Sequence, residues 1–243
     1  MTRSPEFERY ARDGVLVLGG PAAILLQIAD PVVARGVAQH SAFAEYPMRR
    51  LRHTLAYMYG IALGDDTRAG RAAAFVDRAH TGVAGATDPA RQLWVAATLY
   101  RVGVDVHELL RGPMPDALAD EVYAASERLG TALQVPTGLW PADRAAFERY
   151  WMDAVAALEV GDDARAVARD LLQPGRVPLW ARAGMPLGRT VTAGLLPASI
   201  RDAYALPDRP RAFRRSVRVA RLASRLTPRR LRELPSRRLL GPV

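Results

Sequence analysis

The sequence predicts an all-α protein, a single multi-helix domain, on three observations. Asp-Pro pairs and Pro…Gly frames punctuate it as helix starts and stops. Alternating apolar and polar residues, the mark of half-buried strands, are nearly absent. Its 243 residues, 49% hydrophobic and 24% charged, are ordinary globular material and enough to bury a core. At a usual length of about 11–12 residues per helix, roughly eight to ten helices are expected.

Taken in order, the opening MTRSPEFERYARDG lacks the basic-then-apolar plan of a secretory leader. The longest apolar run, residues 14–29, is broken by Gly19-Gly20-Pro21. A membrane span needs about 20 continuous apolar residues, so a buried turn and helix is expected there instead. The protein is accordingly expected to be soluble and cytoplasmic. Within that run, GVLVLGG reads as a brief strand or an extended approach to a helix. Asp30 and Asp88, each followed by proline, read as N-caps. Residues 113–130 and 141–161 each open with proline and close with glycine, as helices do.

Composition shifts near residue 207, after which twelve arginines fall between Arg209 and Arg238. Phe213, Val217 and Ala220 follow helical spacing, and so do Val219, Leu222 and Leu226. The expected division is a helical domain over 1–206 and, over 207–243, a basic amphipathic helix with a proline-broken tail packed on that domain.

The net charge is +9, and all basic residues are arginine. Without lysine, that side chain is removed from every catalytic scheme, while guanidinium groups suit carboxylates and phosphates. Without cysteine there is no disulfide, thiolate ligand or Cys nucleophile. No HExxH, GxSxG elbow or glycine-rich phosphate loop is present.

Two stretches could carry chemistry. In FVDRAHTGVAG, His80 shares a helix face with Val76 and Val83. It reads either as a core histidine bonded to a carbonyl or as an axial haem ligand, since a neutral imidazole on a rigid helix suits iron. In RRLRHTLAYMYG, Arg50, His53 or Thr54, and Tyr57 fall on one face through i+3 and i+4 spacing. They form either a solvated helix surface with a packed tyrosine or a cation, imidazole and hydroxyl set that steadies a propionate or an oxygen species. His40 and His107 read as structural.

Five stretches in order resemble the MpaB-type oxygenase family, which includes relatives of the latex-clearing rubber oxygenases. They are LLQIADPVVARGVAQHSAF (25–43), RLRHTLAYMYGIALG (50–64), VDRAHTGVAG (76–85), DPARQLWVAATL (88–99) and AGLLPASIRDAYAL (193–206). The resemblance implies an all-α fold holding haem b. It implies His80 as the iron ligand, with Arg50, Tyr57 and Trp94 beside the cofactor. His53, Thr54 and Arg50 would be the catalytic groups, His53 standing where the rubber oxygenases carry lysine. Many family members have histidine where this chain has Ala96, and a longer loop between His80 and Asp88.

The expected function is thus a haem-b-dependent oxygenase using dioxygen on a hydrophobic, isoprenoid-like or polyketide-like molecule, with C=C cleavage as the family precedent. The alternative is a non-catalytic protein of the same fold binding haem or a hydrophobic ligand. For the arginine-rich segment, the expectation is that its apolar stripe packs on the domain while the arginines face water or pair with acidic helices. Contact with a membrane surface ranks next, and no nucleic-acid partner is expected because no reading motif accompanies the charge.

Overall fold

The computed structural model describes residues 3–40, 47–174 and 179–240, and the side chains of 3–39, 51–174 and 184–240. The described residues form helices and no strand. In chain order these are α1 (Pro5–Arg12), a 3₁₀ segment (Gly14–Gly19), α2 (Gly20–Gln27), α3 (Pro31–His40), α4 (Pro47–Leu63), α5 (Asp66–His80), α6 (Pro89–Arg111) and α7 (Asp116–Thr131). They continue with α8 (Arg144–Ala156), α9 (Asp162–Leu172), α10 (Leu179–Leu195), α11 (Ala198–Ala203), α12 (Pro210–Leu226), α13 (Arg229–Arg232) and α14 (Leu234–Leu240). The fourteen α-helices among the described residues exceed the eight to ten expected from length. The excess comes from short helices such as α11 and α13, which the prolines of the C-terminal third start and stop.

The aspartate-proline starts form as expected. Asp30 Oδ1 accepts from the backbone N–H of Val32 and Val33 at 2.8 and 3.0 Å. Asp88 does the same for Ala90 and Arg91 at the head of α6. Each satisfies two of the donors that a helix start leaves without partners. GVLVLGG is neither strand nor extended chain: Gly14–Gly19 is the 3₁₀ segment and Gly20 opens α2. The last residue of the 3₁₀ segment is pressed on α6, where a Cβ on Gly19 would stand 2.4 Å from Val102 Cγ1. Only a coiled backbone without a side chain lets the two elements approach so closely.

The 23-residue α6 is the central post, flanked by α2, α7, α12 and the 3₁₀ segment. Its Tyr100 meets Phe147 of α8 edge-on at 4.8 Å, and its Trp94 stacks on Trp151 at 5.2 Å. Phe147 is fully buried at the centre of this aromatic cluster, which includes Tyr123 and Trp140. α4 packs on α5, α7 and α14, α3 on α9, and α10 on α12.

The two ends of the chain meet at Asp13. Its Oδ2 accepts from Arg111 Nη2 at 2.7 Å and from Arg232 Nη1 at 2.8 Å. One carboxylate therefore ties residues from the beginning, middle and end of the sequence. Nearby, Glu233 is buried between Arg229 and Arg237. Burial raises its pKa, but hydrogen bonds from those two arginines outweigh it and hold the carboxyl below its ordinary range.

No single helix among the described residues is long and apolar enough to cross a membrane.

Candidate functional site

α2 is apolar all round up to its last residue, Gln27: Ala22, Ala23, Leu25 and Leu26 are buried. A helix without a polar face must be surrounded. On one side α6 covers it. On another, α2 and the 3₁₀ segment border a cavity of about 430 Å³, closed by α4, α6 and α7. Ile24, Leu55, Met58, Leu99 and Leu129 supply its apolar wall. No charged side chain lines it among the described residues. The polar groups are few. Gln27 donates to Thr98 Oγ1 at 3.0 Å, and Ser126 donates to Val122 O of its own helix at 2.7 Å. Burial pushes Tyr59 and Tyr100 up to about 12 and Tyr10 upward as well. Without a metal beside them, these phenols are therefore neutral hydrogen-bonding groups. Such a wall is suited to a neutral, greasy guest.

The structure separates the residues that the sequence brought together. α4 presents two faces. Leu51, Thr54, Leu55, Met58 and Ala62 look onto the cavity. His53, Tyr57 and Ile61 belong to the side that meets α5 and α7: His53 lies edge-on to Phe75 with ring centroids 5.0 Å apart, and Tyr57 and Ile61 pack with Ala69. Among the described side chains, Thr54 is thus the one of the expected catalytic set placed on the cavity, where it is solvent-exposed and so stands at the mouth. Tyr57 is buried, and its hydroxyl donates to Leu129 O at 2.6 Å. Trp94 is buried too, its Nε1–H donating to Leu26 O at 3.1 Å. Arg50 lies in α4, and its side chain, like that of His40, falls outside the described residues.

His80 is the last residue of α5, half-buried, with Nδ1 shielded from solvent. No residue of α5 lines the cavity among the described residues. The chain then turns tightly through Gly82 and Gly85, both at positive φ, and Val83 N donates to His80 O at 3.0 Å. Gln92 holds this short loop by donating to Ala86 O at 2.9 Å. Ala96, where relatives carry histidine, is buried in α6.

The haem that the resemblance implies was tested against this arrangement. The described wall offers no imidazole, thiolate or carboxylate, and no cation stands ready for a propionate. His80 belongs to a helix on the far side of α4. On the described residues a porphyrin does not fit in this cavity, and no chemical step is derived through one.

Sequence reading missed the cavity wall. Tyr10 and the 3₁₀ segment carry no motif, Met58 lies in a resembling stretch but was given no role, and the available signal was the apolar character of residues 14–29. The resembling stretches do have a physical role. α2 ends inside the protein, where its last carbonyls need donors. Trp94 serves Leu26 O, and the hydroxyl of Tyr204 serves Leu25 O at 2.8 Å. Gln27 and Thr98 pair beside them.

An all-helical protein with an uncharged internal cavity, stitched around α2 by residues from distant motifs, is the class that this geometry defines. The chain belongs to the family described as ER-bound oxygenase mpaB/B'/rubber oxygenase, catalytic domain, which matches residues 8–225. It is similar to an uncharacterised protein of Mycobacterium bovis, 38% identical over 229 residues that cover 86% of this chain and 89% of the relative. An uncharacterised protein of Mycobacterium tuberculosis matches to the same extent. No solved structure matches.

Proposed function

We propose that this chain is an oxygenase of its family that takes a hydrophobic small molecule, isoprenoid-like or polyketide-like, into the cavity between α2, α4, α6 and α7. The observation that carries this reading is the wall around about 430 Å³ of space, mainly apolar and without a charged side chain among the described residues. An alkene held there is shielded from water, with the hydroxyl of Thr54 at the mouth and neutral phenols within. The resemblance supplies dioxygen as co-substrate and oxidative C=C cleavage as the reaction class. The haem b on His80 that it also implies would have to lie outside this cavity, on the α5 side of α4.

The second reading, a protein that binds a hydrophobic ligand without turning it over, is favoured by the position of His80 on a helix that does not border the cavity. The two readings part in one set of measurements on the purified chain. Nile red is bound first, then displaced by farnesol. Both readings expect displacement, and both expect Ala125→Phe, which fills the cavity, to weaken binding at least tenfold. Failure of displacement with folded protein overturns both. Hemin is then added: a Soret band lost in His80→Ala, with dioxygen uptake on a polyunsaturated substrate, supports the oxygenase. Ligand binding with no Soret band supports the second reading.

A further inference from the structure

The helix α12 has more apolar surface than its packing uses. Its inner side places Val217, Ala220 and Ser224 against the domain, with Phe213 packed onto the core. The second apolar series lies roughly opposite, by the 100° that each helical residue advances. Val219 is 50% exposed, Leu222 59% and Leu226 73%, and Leu231 of α13 is 54% exposed. Isolated surface leucines need no explanation, but an i, i+3, i+7 series makes a stripe.

The charges beside this stripe are all of one sign. Within α12, Arg211, Arg214, Arg218 and Arg225 occupy the sector between the inner side and the stripe, Arg215 lies within the stripe, Arg221 at the inner edge donates to Leu109 O, and the helix contains no acidic residue. Among the described residues no ion pair engages these six arginines, whereas Arg229, Arg232 and Arg237 of the following segment are paired. Of the two arrangements expected for these arginines, facing water or pairing with acidic helices, those of α12 take the first: all six are exposed. The Val217 and Ala220 series packs on the domain, and the Val219, Leu222 and Leu226 series is left uncovered.

We propose that α12 is a docking surface for an anionic phospholipid bilayer. Val219, Leu222 and Leu226 enter the headgroup–acyl boundary, and the flanking arginines meet lipid phosphates while their stems lie along the apolar layer. The complementarity decides the partner. A second protein of acidic surface would meet the charge but not the greasy stripe. A duplex nucleic acid would leave the stripe in water. A bilayer of anionic lipid satisfies both at once. The proposal does not rest on the catalytic reading, and either can fail without the other.

The test uses the full chain and vesicles of phosphatidylcholine, alone or with one third phosphatidylglycerol, in a sedimentation assay. Binding is expected to the mixed vesicles only, and to fall in high salt. Leu222→Ser/Leu226→Ser, both exposed in the free protein, should weaken it about tenfold or more. Arg215→Gln and Arg218→Gln should each weaken it about fivefold. Helical content by circular dichroism checks that the variants fold. The proposal is overturned if the mixed vesicles leave the protein in solution, or if the leucine variant binds as tightly as the parent. It is equally overturned if a duplex DNA competes the protein off the vesicles, or if sedimentation of the free chain shows a dimer that the leucine variant abolishes.

Discussion

Tyr57 shows how a single side chain can be read two ways. Its place one turn beyond His53 and Thr54 gives it a cofactor role by resemblance, yet its hydroxyl donates to a backbone carbonyl in the small cluster under α5. A buried hydrogen bond of this kind is worth about 1 kcal/mol, and more if the carbonyl left behind stays dry. Tyr57→Phe should therefore lower stability to urea by about 1–2 kcal/mol while leaving farnesol binding unchanged. Loss of ligand binding with unchanged stability would place the hydroxyl at the cavity after all. Aspartates 30 and 88 were legible in the sequence because a cap is made within three residues of itself. The partners of Tyr57, Trp94 and Tyr204 were not, since each bonds a carbonyl more than sixty residues away.

Between elements, legibility depended on whether the pattern was local. The starts of α3 and α6 and the inner side of α12 follow from spacing and caps. The 3₁₀ form of residues 14–19 does not, because it answers to the pressure of α6 on Gly19. The cavity is harder still: its wall is gathered from segments near residues 20, 55, 100 and 125, and no one of them announces it. The seam between α10 and α12 offers a sharp test. A Cβ on Gly194 would lie 2.2 Å from the ring of Phe213. Gly194→Ala should force the two helices apart and lower stability by about 1–3 kcal/mol, seen as a lower midpoint in thermal melting. An unchanged midpoint would mean that the ring swings aside and the seam is loose.

For the whole molecule, the composition itself sets a pH limit. The chain has 8 tyrosines and neither lysine nor cysteine. Its arginines stay charged, so tyrosine is the side chain that titrates in the alkaline range. Burial pushes Tyr59, Tyr100 and Tyr150 up to about 12. The native state then holds protons that the unfolded chain has released above its ordinary value of 10.0. With more protons on the native state, stability falls as pH rises. It is fully present below pH 10.0 and drains away towards 12, by on the order of 2 kcal/mol for each phenol. Urea midpoints measured at stepped alkaline pH, with tyrosinate absorbance recorded alongside, check this. Phenols that ionise near pH 10.0 in the folded protein would refute it.

The carboxylate of Asp13 has a consequence in time. It sits at the start of the chain, yet one of its two guanidinium partners is Arg232, and α14 closes on α4 only after that. During synthesis the early helices leave the ribosome with this clasp open, waiting for some two hundred residues of polypeptide. A nascent chain stalled before α13 should stay vulnerable to protease, and release of the last few turns should be what locks the assembly shut.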